Sequence, residues 1–368
     1  MGDVATYVNG YAFKPSDWGK TGLPIIRIQD LTGSSYQLNY YDGEYSEQIE
    51  INDGDVLISW SASLGVYIWS RGKALLNQHI FKVIFNKQQI NKNYFVFAVQ
   101  HKLQELEKKT HGATMKHIIK KDFDNTLIPF PTLEKQEYIA KVLIKAQTVV
   151  EDRKKQLEEL DKLVKAQFVE MFGDPVSNPN RWEKVALGKR CEIITGNTPS
   201  RSEPENYGTY IEWIKSDNIN TPYTYLTEAQ EYLSEIGFQK CRCVDEGSLL
   251  MTCIAGSVNC IGNVAVANRR VAFNQQINAI VPEGDEVLYI YWLMLLSKPA
   301  IHSTINMALK GILSKGQLSE MEFPFPPIEV QQQFAAFVQQ VDKSKVAIQK
   351  SLDEMQLLFD SLMQKYFG

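Results

Sequence analysis

Two long stretches of the chain alternate apolar and polar positions with a period near 3.5. Between Glu134 and Phe172 the apolar side chains fall at Ile139, Leu143, Ala146, Val150, Leu157, Leu160, Val164 and Met171. From Glu329 onward they fall at Phe334, Val338, Val341, Ile348, Leu352, Met355, Phe359, Leu362 and Tyr366. Steps of three and four put each set on one face of an α-helix, and the period is that of a coiled-coil seam. The positions between are rich in Glu, Lys, Gln, Leu and Ala, which favour helix. Arg153, Gln167 and Lys345 interrupt the seam, which weakens a helix pair but can fix its register. The ends are marked as well. Thr132 suits an N-cap and Pro327 a first turn. Glu134 and Glu329 sit where the helix dipole favours an anion. Gly173 and Gly368 suit a left-handed residue after the last turn. Each helix is predicted to run for about 39 residues, or roughly 58 Å.

The two stretches are copies of one another. "IPFPTLEKQEYIA" from Ile128 matches "FPFPPIEVQQQFA" from Phe323, and Pro129 and Pro324 set a shift of 195 (324 − 129). That shift holds at Glu134/Glu329 and Gln136/Gln331 and still at Phe172-Gly173 and Phe367-Gly368. Upstream the match continues in drifting register: "NQHI" at Asn77 with "NQQI" at Asn274, "DGDVLIS" at Asp53 with "EGSLLMT" at Glu246, and "IIRIQDL" at Ile25 with "WIKSDNI" at Trp213. Gly10 and Gly196 align in the same way. A repeat that tolerates no insertion in one part and several in another reads as rigid helix joined to looped globular unit, twice over. The predicted organisation is a globular domain over 1–133, a spacer helix over 134–173, a second domain over 174–328 and a second helix over 329–368. The fold class is α+β. Two equally long helices bury their stripes most simply as an antiparallel pair, which would set the two units at opposite ends about a pseudo-twofold axis. The prolines flanking Phe130 and Phe325 restrict the chain on both sides and are expected to fix the angle between domain and helix.

Composition narrows the classes. A chain of 368 residues that is 44% hydrophobic can fill two cores. The net charge of −4 does not mark a nucleic-acid binder, although a sum can hide patches. No apolar run approaches the ~20 residues of a membrane span, and "YIYWLMLL" from Tyr289 reads as a buried helix. Cys191, Cys241, Cys243, Cys253 and Cys260 match no common zinc spacing and are expected to be free thiols in a cytoplasmic protein. The sequence has no Asn-Pro-Pro-Tyr-like motif, no Walker-type loop and no strand followed by GxGxxG. The His residues form no helical metal pair. A catalytic or cofactor site in this chain is therefore not expected.

These motifs, in this order and repeated, resemble the specificity subunits of type I restriction-modification systems. "FGDP" at Phe172 and "RWEKVALG" at Arg181 add to the likeness. The resemblance spans essentially the whole chain. It implies two target recognition domains, each reading one half of an asymmetric bipartite DNA sequence, with the helices setting the unread spacer. It implies double-stranded DNA, two modification (methyltransferase) subunits that bind S-adenosylmethionine, and restriction subunits as partners, and a non-catalytic role for this chain. A self-sufficient DNA-modifying enzyme or a coiled-coil scaffold without a DNA role is the alternative; the missing motifs and the twin globular units count against them. One departure stands out. Met1-Gly2-Asp3-Val4 aligns with Leu187-Gly188-Lys189-Arg190, so the opening strand of the first domain is predicted to be missing or very short, and its completeness stays open.

Candidate DNA contacts follow from the copies. Lysines and arginines meet phosphates, and polar side chains meet base edges. The basic run Lys108, Lys109, Lys116, Lys120 and Lys121 puts a loop containing Thr114 and Lys116 against the backbone; Lys310, Ser314 and Lys315 are its counterpart. Asn and Gln can pair with adenine, which draws attention to Gln78 and Gln275. Yet a motif shared by two units that read different sequences is expected to be structural at Asn77 and Asn274. The residues that change are better readers: His79 against Gln276, and Arg27 and Gln29 against Lys215 and Asp217. The loops 60–64, with Ser61 and Ser63, and 253–259, with Ser257 and Asn259, complete the set. Trp60, Tyr67 and Trp69 are expected in the core or facing a partner.

Overall fold

The computed structural model describes residues 1–34, 37–109, 120–305 and 311–368, with only the backbone for 106–109. The chain divides into two compact units, Met1–Lys154 with Lys350–Gly368, and Lys155–Gln349. The long helices belong half to each.

Unit 1 contains β1 (Thr6–Asn9), β2 (Leu23–Ile26), α1 (Ile28–Thr32), β3 (Asn39–Tyr41), β4 (Glu50–Ile51), β5 (Val56–Ser59), β6 (Gly65–Ile68), β7 (Ala74–Leu76), β8 (Ile80–Ile84), α2 (Lys92–Lys109), α3 (Lys120–Asn125) and the start of α4 (Leu133–Phe172). Its strands form two four-stranded sheets, in the orders β1-β8-β5-β6 and β3-β2-β7-β4. The run Val56-Leu57-Ile58 is apolar throughout because β5 is covered on both faces. Successive side chains point to opposite sides, so Val56 and Ile58 pack with Phe95 and Val99 of α2, while Leu57 packs with Ile26 and Leu76 of the second sheet. The other face of α2, with Tyr94, Phe97 and Ala98, meets Ile139, Ala140 and Leu143 of α4.

Unit 2 repeats this plan. It continues with β9 (Lys184–Ala186), β10 (Cys191–Thr195), β11 (Tyr207–Ile214), β12 (Tyr232–Leu233), α5 (Glu235–Gln239), β13 (Cys243–Val244), β14 (Leu249–Thr252), β15 (Val264–Val266), β16 (Val271–Phe273), β17 (Ile277–Pro282), α6 (Val287–Ser303), α7 (Lys315–Glu320), β18 (Glu322–Pro324) and the start of α8 (Ile328–Phe367). The sheet orders are β10-β17-β14-β15 and β12-β11-β16-β13, the same as in unit 1 strand for strand. Leu249 and Met251 pack toward α6 and Leu250 toward the second sheet, as their counterparts Val56, Ile58 and Leu57 do. The "YIYWLMLL" run lies in α6, where Tyr289 to Met294 are all buried. It is apolar all round because it is enclosed all round. No helix among the described residues is long and apolar enough to cross a membrane.

The predicted seam is present, and its two ends are aromatic. In unit 1 the start of α4 lies against the end of α8, with Ile139 and Leu143 clustering with Met363 and Phe367. In unit 2 the end of α4 lies against the start of α8: Phe168 and Phe172 stand 5.4 and 5.5 Å from Phe334, ring centroid to centroid, and all three reach Tyr289 or one another edge-on or stacked. Within each unit the two helices therefore run antiparallel. Each is 40 residues long, about 60 Å. Gly173 follows α4 at φ +80 with its N–H on the Val169 carbonyl (2.9 Å), which completes the left-handed cap.

Of the polar interruptions in the seam, Lys345 is held by Asp161 of the facing helix and lies 3.8 Å from Asp342. One oxygen of Asp342 is buried without a hydrogen bond. Burial pushes the Asp342 carboxyl above its ordinary range; Lys345 opposes this and Asp161 adds to it. The folded state then holds that proton more tightly than the unfolded chain, so ionising Asp342 costs stability, a cost absent in acid and present once the pH has risen through the raised value. D342N should accordingly melt at a higher temperature than the native chain at pH 7. The gain should fade below pH ~4, where a free aspartate is itself protonated. A lower melting temperature for D342N at pH 7 would show that the pairing with Lys345 outweighs the burial cost.

Candidate nucleic-acid interface and the junctions behind it

The strand ends of unit 1 bring the sequence candidates to one edge. The Asn77 N–H donates to the Ile26 carbonyl (3.0 Å), the Gln78 N–H to Tyr11 (2.8 Å) and the Trp60 N–H to His79 (3.2 Å). This places Arg27, Gln78, His79 and the 60–64 loop side by side. Gly10 lies beneath them, and a Cβ there would overlap the Asn77 carbonyl, so only glycine fits. His79 sits at φ +72, a conformation uncommon outside glycine, and its ring meets the Trp60 indole at 4.9 Å. Trp60 also stacks on Phe81 (5.6 Å), and Trp69 is buried. Arg27 is drawn inward: it approaches Asp30 at 3.4 Å, donates to the Gln37 carbonyl (3.1 Å) and covers the Trp18 ring. Gln29 and Ser63 are exposed, whereas Ser61 is buried.

The edge of unit 2 is built alike. The Asn274 N–H donates to Ile214 (3.1 Å), and the N–H groups of Cys253 and Ile254 both reach the Gln276 carbonyl (2.8 and 3.1 Å). The Asn274 side chain accepts from the Gln276 N–H (3.0 Å), which bends the loop back on itself. Gly196 is crowded by the Asn274 carbonyl as Gly10 is by Asn77. Lys215, Gln275, Gln276, Ser257 and Asn259 are thereby gathered. The Leu313 N–H donates to the Cys253 carbonyl (3.0 Å) and brings Ser314 and Lys315 alongside. Ser314 caps α7 through the Gln317 N–H (3.2 Å), and Lys315 is exposed, as are Asp217, Ser257, Asn259 and Gln275. The Gln275 amide oxygen accepts from the Thr198 hydroxyl. Lys215 stands over Trp213 (5.5 Å) and pairs with Glu231 (2.5 Å). That hydrogen bond, with Arg201 beside it, holds the Glu231 carboxyl below its usual range. Thr114, Lys116 and Lys310 lie outside the described residues.

Behind each edge the domain meets its long helix through a device that periodicity does not reveal. The Tyr94 hydroxyl donates to the Pro129 carbonyl (2.8 Å), and the Tyr289 hydroxyl to the Pro324 carbonyl (2.7 Å). Gln136, buried in α4, donates to the Pro131 carbonyl (2.8 Å) and accepts from the Asn91 N–H (2.9 Å). Gln331, buried in α8, donates to the Pro326 carbonyl (2.9 Å) and accepts from the Glu286 N–H (3.0 Å). All four residues obey the offset of 195. One glutamine thus ties together the proline segment, the start of the long helix and the N-terminus of the domain helix. Unit 2 adds an ion pair: Arg190 meets Asp285 through two hydrogen bonds (2.8 and 2.5 Å), and Asp285 also accepts from Gln331 (2.8 Å). In unit 1 the repeat puts Val4 and Ile90 at those positions, in an apolar cluster.

The five cysteines are free thiols, and burial pushes Cys191 and Cys253 up to about 12. Among the described residues no cluster of His, Cys, Asp or Glu could hold a metal ion.

Comparison with known proteins matches these observations. The family described as "Type I restriction modification DNA specificity domain" matches residues 1–162 and 179–355. The specificity subunit of the type I restriction enzyme EcoBI from Escherichia coli is 25% identical over 401 aligned positions, covering 100% of this chain and 84% of that protein. The MjaVIII specificity subunit from Methanocaldococcus jannaschii is 23% identical over 81% of this chain and 74% of its own length. In fold, the chain is similar to the crystal structure of a type I restriction-modification S subunit from M. genitalium, with a TM-score of 0.60 at 14% identity, covering 100% of this chain and 94% of that one. Two mixed α/β domains, two long helices packed together and a family match over most of both halves lead to one conclusion: the chain belongs to the DNA specificity subunits of type I restriction-modification systems, the non-catalytic part of those complexes.

Proposed function

We propose that residues 1–133 and 174–328 each read one half of an asymmetric, two-part DNA sequence. In this reading, residues 134–173 and 329–368 set the unread spacer between the halves and dock two methyltransferase subunits. Those subunits would supply S-adenosylmethionine, and restriction subunits would join them. One observation carries this: the two loop edges share a framework and differ at the surface. Asn77 and Asn274 make the same backbone hydrogen bond, and Gly10 and Gly196 fill the same cramped position. Around them His79 is exchanged for Gln276, and Gln29 for Asp217. A common scaffold with different side chains at its rim suits two different base sequences. A solved structure of similar fold, TM-score 0.55 at 19% identity, concerns complex assembly and conformational transition of the type I R-M system, which supports assembly with further subunits.

Replacing residues 20–120 by the equivalent part of another recognition domain tests the reading. Methylome sequencing of cells carrying the chimera should show one half of the methylated sequence changed, with the other half and the spacer kept. An unchanged methylation sequence would refute recognition by unit 1.

A further inference from the structure

At both loop edges the residue after the cramped glycine is held in the same way by its backbone. The Tyr11 N–H donates to the Leu76 carbonyl (2.9 Å) and the Tyr11 carbonyl accepts from the Gln78 N–H (2.8 Å), so Tyr11 pairs with Asn77 in a parallel bridge. In unit 2 the Asn197 N–H donates to the Phe273 carbonyl (3.2 Å). There the side chains turn inward. The Asn197 amide donates to the Lys240 carbonyl (2.8 Å) and accepts from the Arg242 N–H (2.9 Å). The Thr198 hydroxyl beside it donates to the amide oxygen of Gln275.

In unit 1 the same two positions are Tyr11 and Ala12. Alanine has no hydroxyl to offer, and the Gln78 amide has no hydrogen-bond partner among the described residues. Tyr11 stays at the surface, 55% exposed. A single exposed aromatic is ordinary, but this one is fixed in place. Its ring stands edge-on to Phe13 at 5.0 Å, and Phe13 edge-on to Tyr41 at 5.2 Å. Phe13 is itself buried against Ile25, Ile49 and Leu75. Two backbone bonds and a buried aromatic support leave Tyr11 little freedom to lose on contact. An aromatic ring beside an unengaged glutamine fits one feature of the major groove. Adenine presents the N6 and N7 atoms that a glutamine amide can pair with, and its partner thymine presents a 5-methyl group, the one apolar projection among the four bases.

We propose that Tyr11 is a specificity-determining residue of unit 1, its ring packing on the 5-methyl group of a thymine next to the base met by the Gln78 amide. This rests on the reading of unit 1 as a recognition domain. Unit 2 has no such reader at the matching position, because Asn197 is committed to residues 240–242 of its own domain.

The test compares Y11A and Y11F with the native chain by methylome sequencing, alongside the chimera of residues 20–120. In the half that the chimera changes, Y11A should relax one A·T position, with the other half and the spacer kept. Y11F should methylate the native sequence. A merely structural role for the ring would lower methylation at all sites alike and leave the sequence unchanged, which would overturn the proposal. The complex purified from cells carrying the native chain gives a second measurement. It is bound to target duplexes in which deoxyuridine replaces each thymine of that half, one at a time. Loss of the methyl group should weaken binding about fourfold at one position, and Y11A should lose that sensitivity. The native chain is untouched in this measurement, so it decides the matter even if Y11A fails to fold. Equal affinity for all the deoxyuridine duplexes would overturn the proposal, as would a Y11A chain that methylates the native sequence with native selectivity. If the chimera changes one half while Y11A relaxes no position, this inference falls and the reading of unit 1 stands. If the chimera changes neither half, both fall.

Discussion

Replacement of Gln331 by leucine should cost unit 2 about 3–5 kcal/mol, because three hydrogen bonds end on that one amide and one of them serves a carboxylate. Leucine nearly matches the volume, so the loss is polar. It strands the Glu286 N–H, the Pro326 carbonyl and one bond of Asp285, which is buried and keeps only Arg190. Q136L removes two bonds with no carboxylate involved and should cost about 2–3 kcal/mol. The glutamates sharpen the contrast. Q331E would set a second carboxylate against Asp285, whereas Q136E would face only the Pro131 carbonyl. Denaturant unfolding of the four variants checks this order, and equal costs for Q331L and Q136L would show that the Asp285 bond adds nothing.

The second large effect concerns the spacer. Seven residues inserted into α4 after Lys154 and seven into α8 after Gln349 should keep the seam in register, since a heptad repeats its face. They add about 10 Å to each helix, which matches about three base pairs at 3.4 Å per step. The methylated sequence should keep both halves and gain about that many unread positions. The insertions belong in mid-helix, because the first turn of α4 carries Gln136 and a break there would undo the junction as well. Insertion into α4 alone should abolish activity, because Phe168 would lose its place against Phe334. Full activity with an unchanged spacer in the double insertion would show that these helices do not measure DNA.

Much of this architecture is written in local pattern. The seam residues Ile139, Leu143, Val164, Val338 and Leu352 are buried because a period of 3.5 needs no knowledge of the rest of the chain. Phe168, Phe172, Met363 and Phe367 escaped that pattern. They lie at helix ends, where the helix packs on α6 or α2 as well as on its partner, so they step off the seam. The repeat paired the segments that become β2 and β11 or β5 and β14, but neither their being strands nor their order in two sheets was read from it, because sheet neighbours are distant in sequence. The same holds for the loop edges. Arg27, His79 and the 60–64 loop share an edge only because β2, β8 and β5 end together. Sequence also could not show that Arg27 and Lys215 are tied to Asp30 and Glu231, nor that Ser314 is spent on a helix cap. The tyrosine clamp was hidden for the reason that matters most: Tyr94 and Pro129 become neighbours only through the fold. Both had a visible trace, however, in the offset of 195.

The alternation of prolines has a consequence for rotation. A segment that slipped by one residue would present the wrong carbonyls to Tyr94 and Gln136. Slippage by a single residue is thus excluded at the point where the helix begins. Each residue of slip would turn α4 by about 100° about its own axis, enough to carry Ile139 and Leu143 away from Met363 and Phe367. What Pro129 and Pro131 set is therefore the rotational phase of a helix about 60 Å long, indexed once at its first turn and carried along its whole length.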